Sequence, residues 1–421
     1  AVPLPGFFTD SQLEHVLNDC GAGLVITDQP ERVAALAIAV PVEEAGPLAG
    51  FTSFWLEPRF VREIPSGTIK VTYTSGTTGQ PRGVCLGGDA IDAVAASLGA
   101  IMAAAGIERH LCVLPLAILL ENVAGVLAPL RAGLECIVPP LVSVGLHGAA
   151  SLDVQRLLAA IDSHAAHSLI LLPQMLQALV TTIENGAPAP VSLRFIAVGG
   201  ARVAEPLLQR AARLGLPVFE GYGLSECASV VALNRPGSAR PGSVGRPLPH
   251  LSVRIAEDDE ILVRGPAMRG YLGEPGIASA ELATGDLGHV DDDGFLYVHG
   301  RKKNMFITAW GRNVSPEWVE AELTASGPIA QAAVFGESRP WNVAVIVPSA
   351  RRPDHFAIDG AIRAANERLP DYARVTAWIE AEEPFSAANG LVTANGRLRR
   401  DAIEARYAAR IDVEQHARRI A

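Results

Sequence analysis

The segment Val71–Leu86 reads VTYTSGTTGQPRGVCL, in which alternating β-branched residues run into a crowd of hydroxyls and glycines. Small donors this dense after a strand suit the holding of an anion. Ser75, Thr77 and Thr78 supply hydroxyls, and Gly76, Gly79 and Gly83 let the backbone approach oxygen atoms or take positive φ. Arg82 adds a cation at the mouth, so a phosphate fits the loop. The Walker pattern G-x-x-x-x-G-K-[ST] fails here, because Pro81 stands where the second glycine belongs and Arg82 where the lysine belongs. A different kind of nucleotide site is implied.

Holding such a loop requires a strand before it and a helix after it, and the sequence offers TIKVTYT and DAIDAVAASLGAIMAAAG. The same alternation recurs in HSLILLP with QMLQALVTTIENG and in LRFIAVGG with AEPLLQRAARLG. Strand and helix in alternation predict parallel sheets covered by helices. After Gly237 the texture becomes Gly- and Pro-rich between short alternating strands, which predicts a small antiparallel unit ending near DDDGFLYVHGRKKN. The charged GRKKN reads as a hinge into a last region of about a hundred residues with mixed helices and strands, an ordinary domain size.

Composition narrows the class. The 421 residues are 49% hydrophobic with mean hydropathy +0.24 and net charge −10, which offers no broad attraction to nucleic acid or anionic lipid. Cys20, Cys85, Cys112, Cys136 and Cys227 are scattered, with no C-x-x-C spacing. That argues against a disulfide framework and against a zinc site, and fits a reducing cytoplasm. The apolar run Leu111–Leu130 is broken by Pro115, Glu121, Asn122 and Pro129, so it reads as buried strand and helix, with no transmembrane segment expected. The opening AVPLPGFF lacks the basic stretch of a secretory leader.

YTSGTTGQPRGV resembles the phosphate loop of the adenylate-forming superfamily, which includes acyl-CoA synthetases, luciferases and nonribosomal adenylation domains. Further stretches resemble that family's motifs in the family's order. The resemblance implies that Thr74, Ser75, Gly76, Thr77, Thr78, Gly79 and Arg82 hold the phosphates of ATP. In AVGGARV it implies that Gly199, Gly200 and Ala201 line the adenine and acyl pockets. In FEGYGLSE it implies that Tyr222 stacks on the base and Glu226 binds Mg²⁺, with Gly223 and Ser225 in the same turn. A carboxylate there is chemically apt, because a hard cation prefers oxygen ligands.

LATGDLG puts Asp286 where the family's aspartate accepts from the ribose hydroxyls, and GRKKN puts Arg301 on the nucleotide and Lys303 at the pivot. FITAWGRNVSPEWVEAEL resembles the start of the mobile C-terminal domain and part of its CoA channel, while Ser315 and Pro316 also read as a helix N-cap and first helical residue. FSAANGLVTANGRLRRDAI resembles the last motif, where a lysine reaches the reacting carboxylate and α-phosphate; this chain has Arg397 there. The resemblance thus makes Arg397, Glu226 and Thr77 the catalytic set.

The chain also departs from the pattern. Lysine occurs only at Lys70, Lys302 and Lys303 among 35 basic residues, so arginine at positions 82 and 397 fits a general bias. Even so, a planar fork does not replace a point charge at a tight site. LPLAILLEN carries Ile118 where many members have a histidine or aromatic, an aliphatic wall suited to an apolar acyl group, and Leu119 and Leu120 read as core. The start resembles a point well inside the family's N-terminal domain.

The expected fold is α/β: an AMP-binding domain of helix-covered sheets plus a small antiparallel unit at 1–300, a hinge at 301–303, and a mobile α+β domain at 304–421. The expected activity, most like that of long-chain fatty acyl-CoA synthetases, joins a fatty carboxylic acid to the thiol of coenzyme A through an acyl-adenylate, using ATP and Mg²⁺. An acyl carrier protein as acceptor, or a non-catalytic nucleotide-binding homologue, are the alternatives. A homodimer is compatible with the resemblance.

Overall fold

The computed structural model describes residues 1–6, 8–36, 39–41, 50–57, 62–74, 82–147, 151–276, 281–349, 354–393, 397–411 and 418–419. A seven-stranded sheet forms the centre of the larger part. Its parallel strands are β3 (Arg109–Leu111), β4 (Glu135–Ile137), β5 (Ser168–Leu171), β6 (Phe195–Val198) and β7 (Val218–Tyr222), arranged β4-β3-β5-β6-β7. Two short antiparallel strands, Ala232–Leu233 and Arg246–Pro247, close the β7 edge. All four residues of β5 are buried, as expected of a parallel strand covered on both faces.

One face packs on helices Val154–Ser163 and Pro173–Glu184 through Leu157, Ile161, Leu176, Leu179 and Ile196. Helix Gly88–Ala104 covers the other face. Its apolar residues Ile91, Val94, Ala95, Leu98, Ile101 and Met102 recur at three- and four-residue spacing and meet Phe195 and Val123.

The loop that opened the argument joins β1 (Thr68–Thr74) to β2 (Arg82–Gly87), which pair antiparallel, and the helix begins only at Gly88. The expected strand, loop and helix is therefore a hairpin followed by a helix. Val84, Cys85 and Leu86 are fully buried, and their apolar run pairs with β1 and, on its other edge, with Gly270–Tyr271.

The antiparallel unit expected after Gly237 is a four-stranded sheet containing β8 (Glu281–Val290) and β9 (Leu296–Arg301). Beyond it, a second α+β body is built on strands Ile329–Phe335, Asn342–Pro348, Val375–Glu380 and Arg418–Arg419 in that order. Alternate residues of its central strands separate two cores, Val334, Ala344 and Ile346 facing helices Pro316–Thr324 and His355–Arg368, and Ala333, Val343 and Val345 facing helix Arg400–Ile411. Ser315 caps Pro316–Thr324, its hydroxyl accepting from Trp318 N at 3.4 Å with Pro316 at the first helical position.

This second body docks on the first through arginines. Arg210 Nη1 donates to the Ala325 carbonyl at 2.8 Å, and the Arg202 guanidinium lies 5.9 Å from the Trp318 ring centre. Among the described residues no helix is long and apolar enough to cross a membrane.

Candidate functional site

Asp286 sits in β8 directly opposite Arg301 of β9. The carboxylate is buried: Oδ1 meets Arg301 Nε at 2.8 Å and Oδ2 accepts from the Tyr222 hydroxyl at 2.6 Å. Thr284 prepares this geometry, since its hydroxyl accepts from Asp286 N at 3.1 Å while its carbonyl takes Arg301 Nη1 at 3.2 Å. Burial pushes the Asp286 carboxyl up, against the pull of Arg301 and the Tyr222 hydroxyl, and burial beside Asp286 pushes the Tyr222 phenol well above its usual value. Each carboxylate oxygen keeps a second lone pair, so Asp286 can still accept from a diol.

Tyr222 ends β7, and the chain turns at once. A side chain at Gly223 would run into the Ser229 carbonyl, so only glycine allows this turn. Ser225 and Glu226 follow in the one-turn helix Ser225–Cys227. Gly199 and Gly200 leave the end of β6, Gly200 at φ +86° and an added Cβ on Gly199 only 3.2 Å from the Gly221 carbonyl. Ala201 follows, exposed.

Glu226 is held from a direction the sequence did not suggest. Tyr271 donates its hydroxyl to Glu226 Oε1 at 2.9 Å, and the Met268 amide donates to the Glu226 carbonyl at 2.7 Å. The Arg82 guanidinium lies 3.6 Å over the Tyr271 ring and pairs with Glu274 at 2.6 Å. The Arg that closes the phosphate loop and the carboxylate expected to hold metal thus share one tyrosine. Oε2 of Glu226 accepts no hydrogen bond from a described residue, leaving a hard, oriented oxygen of the kind Mg²⁺ takes.

Arg397 comes from the second body. Its guanidinium makes no hydrogen bond to a described residue, yet the charges of Arg301, Asp286 and Glu226 all act on it. The backbone around it is tied by Thr393, whose hydroxyl accepts from Arg397 N at 3.1 Å and whose amide donates to the Arg397 carbonyl at 2.7 Å.

Tyr222, Glu226, Asp286, Arg301 and Arg397 are therefore brought together. Thr74 ends β1, its hydroxyl 3.4 Å from the Arg82 carbonyl, while Ser75, Gly76, Thr77, Thr78 and Gly79 lie outside the described residues. Ile118 is partly buried against the sheet core, and Leu119 is buried, as core, under helix Gly88–Ala104.

A family profile described as AMP-binding enzyme matches residues 1–272, and a second, AMP-binding enzyme C-terminal domain, matches 303–416. The chain belongs to the AMP-binding enzyme family. Among relatives, an indoleacetate–CoA ligase of Aromatoleum aromaticum is 33% identical over 317 residues, covering 69% of this chain and 59% of the relative. The long-chain-fatty-acid–CoA ligase FadD15 of Mycobacterium bovis is 33% identical over 227 residues, 47% of this chain and 38% of the relative. The chain thus spans about three fifths of the first relative and less of the second. Among solved structures, an anthranilate CoA ligase in complex with anthranoyl-AMP superposes with TM-score 0.76 at 20% identity, over 97% of this chain and 83% of that one, which establishes the shared fold of this AMP-binding enzyme.

Proposed function

We propose that this AMP-binding enzyme activates an apolar carboxylic acid with ATP and passes the acyl group to a thiol, that of coenzyme A. The observation that carries the reading is the convergence of Glu226, Asp286 and Arg301 from one body with Arg397 from the other, whose guanidinium makes no hydrogen bond to a described residue. In the first half-reaction a carboxylate oxygen attacks the α-phosphorus and pyrophosphate leaves. Asp286 and Arg301 fix the ribose, Tyr222 lies against the base, and Arg397 offsets charge gathering on the pentavalent centre. Thr77, Thr78 and Arg82 hold the phosphates in the role the loop's composition supports. Mg²⁺, held by Glu226, would neutralise phosphate charge. In the second half-reaction the body beyond Lys303 turns, Arg397 withdraws, and a thiolate attacks the acyl carbonyl with AMP leaving.

The aliphatic Ile118, where many members have a histidine or aromatic, supports an apolar acyl group. An aromatic acid is the second reading, favoured by the indoleacetate–CoA ligase relative and by the small residues Gly199, Gly200 and Ala201, which admit a flat ring.

The test is pyrophosphate release with ATP, Mg²⁺ and a panel of fatty and arylacetic acids, followed by thioester detection with coenzyme A and with a phosphopantetheinyl carrier protein. Acid-dependent release and an acyl-CoA product are expected. Tight ATP binding with no release by wild type or by Arg397→Lys would overturn the reading in favour of a nucleotide-binding protein.

A further inference from the structure

Close to Ile118 in the chain lies a cluster, around Glu121, that the proposed reaction does not use. His110 in β3 is in register with Cys136 of β4 on one side and with Ser168 of β5 on the other, so the three side chains share a sheet face. Cys112, two residues on, shares it too. A seven-residue π-helical segment, Glu121–Leu127, covers this patch and delivers Glu121 into it; such segments recur at functional sites. His110, Cys112 and Glu121 are 2%, 2% and 0% exposed, and their ligand atoms lie within 4.8 Å of one another.

We infer that His110, Cys112 and Glu121 form a binding site for a zinc-class divalent cation, with the Cys136 thiol beside it. The His110–Glu121 separation has the right length: nitrogen and oxygen ligands about 2.0–2.1 Å from a tetrahedral zinc stand about 3.4 Å apart, and His110 Nε2 is 3.4 Å from Glu121 Oε1, with Cys112 Sγ within 4.8 Å of both.

The outer shell is also built. Ser168 Oγ engages His110 Nδ1 at 2.9 Å, which turns Nε2 toward the cluster, and Leu114 N donates to Glu121 Oε2 at 3.1 Å, which leaves Oε1 facing in. Space is reserved as well: a Cβ on Gly125 would collide with Glu121 Oε1 and come within 3.0 Å of His110 Nε2. Both thiols instead donate to the Gly125 carbonyl, at 3.4 and 3.2 Å.

Charge and ligand type select the ion. A divalent cation with one thiolate, one carboxylate and a neutral imidazole sums to zero, so the complex is buried without a net charge. The mixed sulfur, nitrogen and oxygen set suits zinc and is wrong for Mg²⁺ or Ca²⁺. Binding would release the Cys112 proton to solvent, with no change of oxidation state. The ion would tie the end of β3 to the π-helical segment, a few residues after Ile118.

The full chain is expressed with zinc in the medium, dialysed and assayed for metal by mass spectrometry, then stripped with a chelator and refilled with Co²⁺ alone. About one zinc per chain is expected, with a melting temperature that falls on stripping and recovers with added zinc. Co²⁺ should bring intense tetrahedral visible bands and a thiolate-to-cobalt charge-transfer band. Cys112→Ser should lose the charge-transfer band, and Cys20→Ser, at a buried thiol elsewhere, should keep it. Zinc far below one per chain, a Co²⁺ spectrum equal to that of buffer, or a Cys112–Cys136 disulfide in the fresh protein would overturn the site.

Discussion

Asp286 answers both Arg301 and Tyr222 with its buried carboxylate. Replacing it with asparagine should raise the ATP concentration for half-saturation by roughly ten- to a hundredfold, the scale of one charge-assisted contact, as read by nucleotide titration. Arg397→Ala should instead leave ATP affinity near wild type and slow pyrophosphate release by about 10²–10³-fold, the scale of a lost electrostatic donor. Equal effects on binding and rate would refute that division of labour. Tyr271→Phe removes only the hydroxyl on Glu226 and keeps the ring under Arg82, so the Mg²⁺ dependence should shift by up to about tenfold, at the low end for an outer-shell partner. An unchanged Mg²⁺ titration would rule that role out. Asp286 and Arg301 were legible because both sit in short distinctive motifs. Tyr271 was not, since its hydrogen bond spans 45 residues and GYLGE has no pattern of its own.

At the scale of elements, β7 holds one residue that works against the fold. Glu220 is buried two positions before Tyr222 and accepts from Val203 N at 3.3 Å, and burial pushes its carboxyl up to about 7. A carboxyl raised in the folded state binds protons that the unfolded chain has already lost, so stability falls as pH rises from the unfolded value toward 7. Glu220→Gln should therefore raise the melting temperature at pH 8, by up to about 3 kcal/mol of stability, and do little at pH 4. A gain of equal size at both pH values would show that burial of the charge is not the cause. Elements themselves were legible wherever periodicity was long, as in Gly88–Ala104 and the buried parallel strands. The hairpin of β1 and β2 was missed because RGVCLG is short, bounded by glycines and directly followed by a helix. The His110, Cys112, Glu121 and Cys136 cluster was missed for a related reason. Its members come from β3, the residue just past its end, a neighbouring strand and a helical segment, so register rather than C-x-x-C spacing joins them.

Across the whole molecule, the docked position of the second body rests on arginine contacts with a carbonyl and an indole, each of modest strength. Arg202→Ala with Arg210→Ala should release that body, and small-angle scattering should report a larger radius of gyration than wild type under the same conditions. An identical scattering curve would mean that other contacts hold it. Lys302 stands just before the proposed pivot and is moored by Asp258 at 2.6 Å, by Glu260 at 2.9 Å and by its amide to the Gly285 carbonyl at 2.9 Å, whereas Lys303 makes no hydrogen bond or ion pair with a described residue. Arg301 lies on the moored side. If the C-terminal body turns about Lys303 as proposed, these bonds would hold Arg301 and the Asp286 carboxylate opposite it in register while the chain beyond Lys302 takes up the rotation. The strand would then act as a bearing housing, its seat keeping alignment while the shaft rotates.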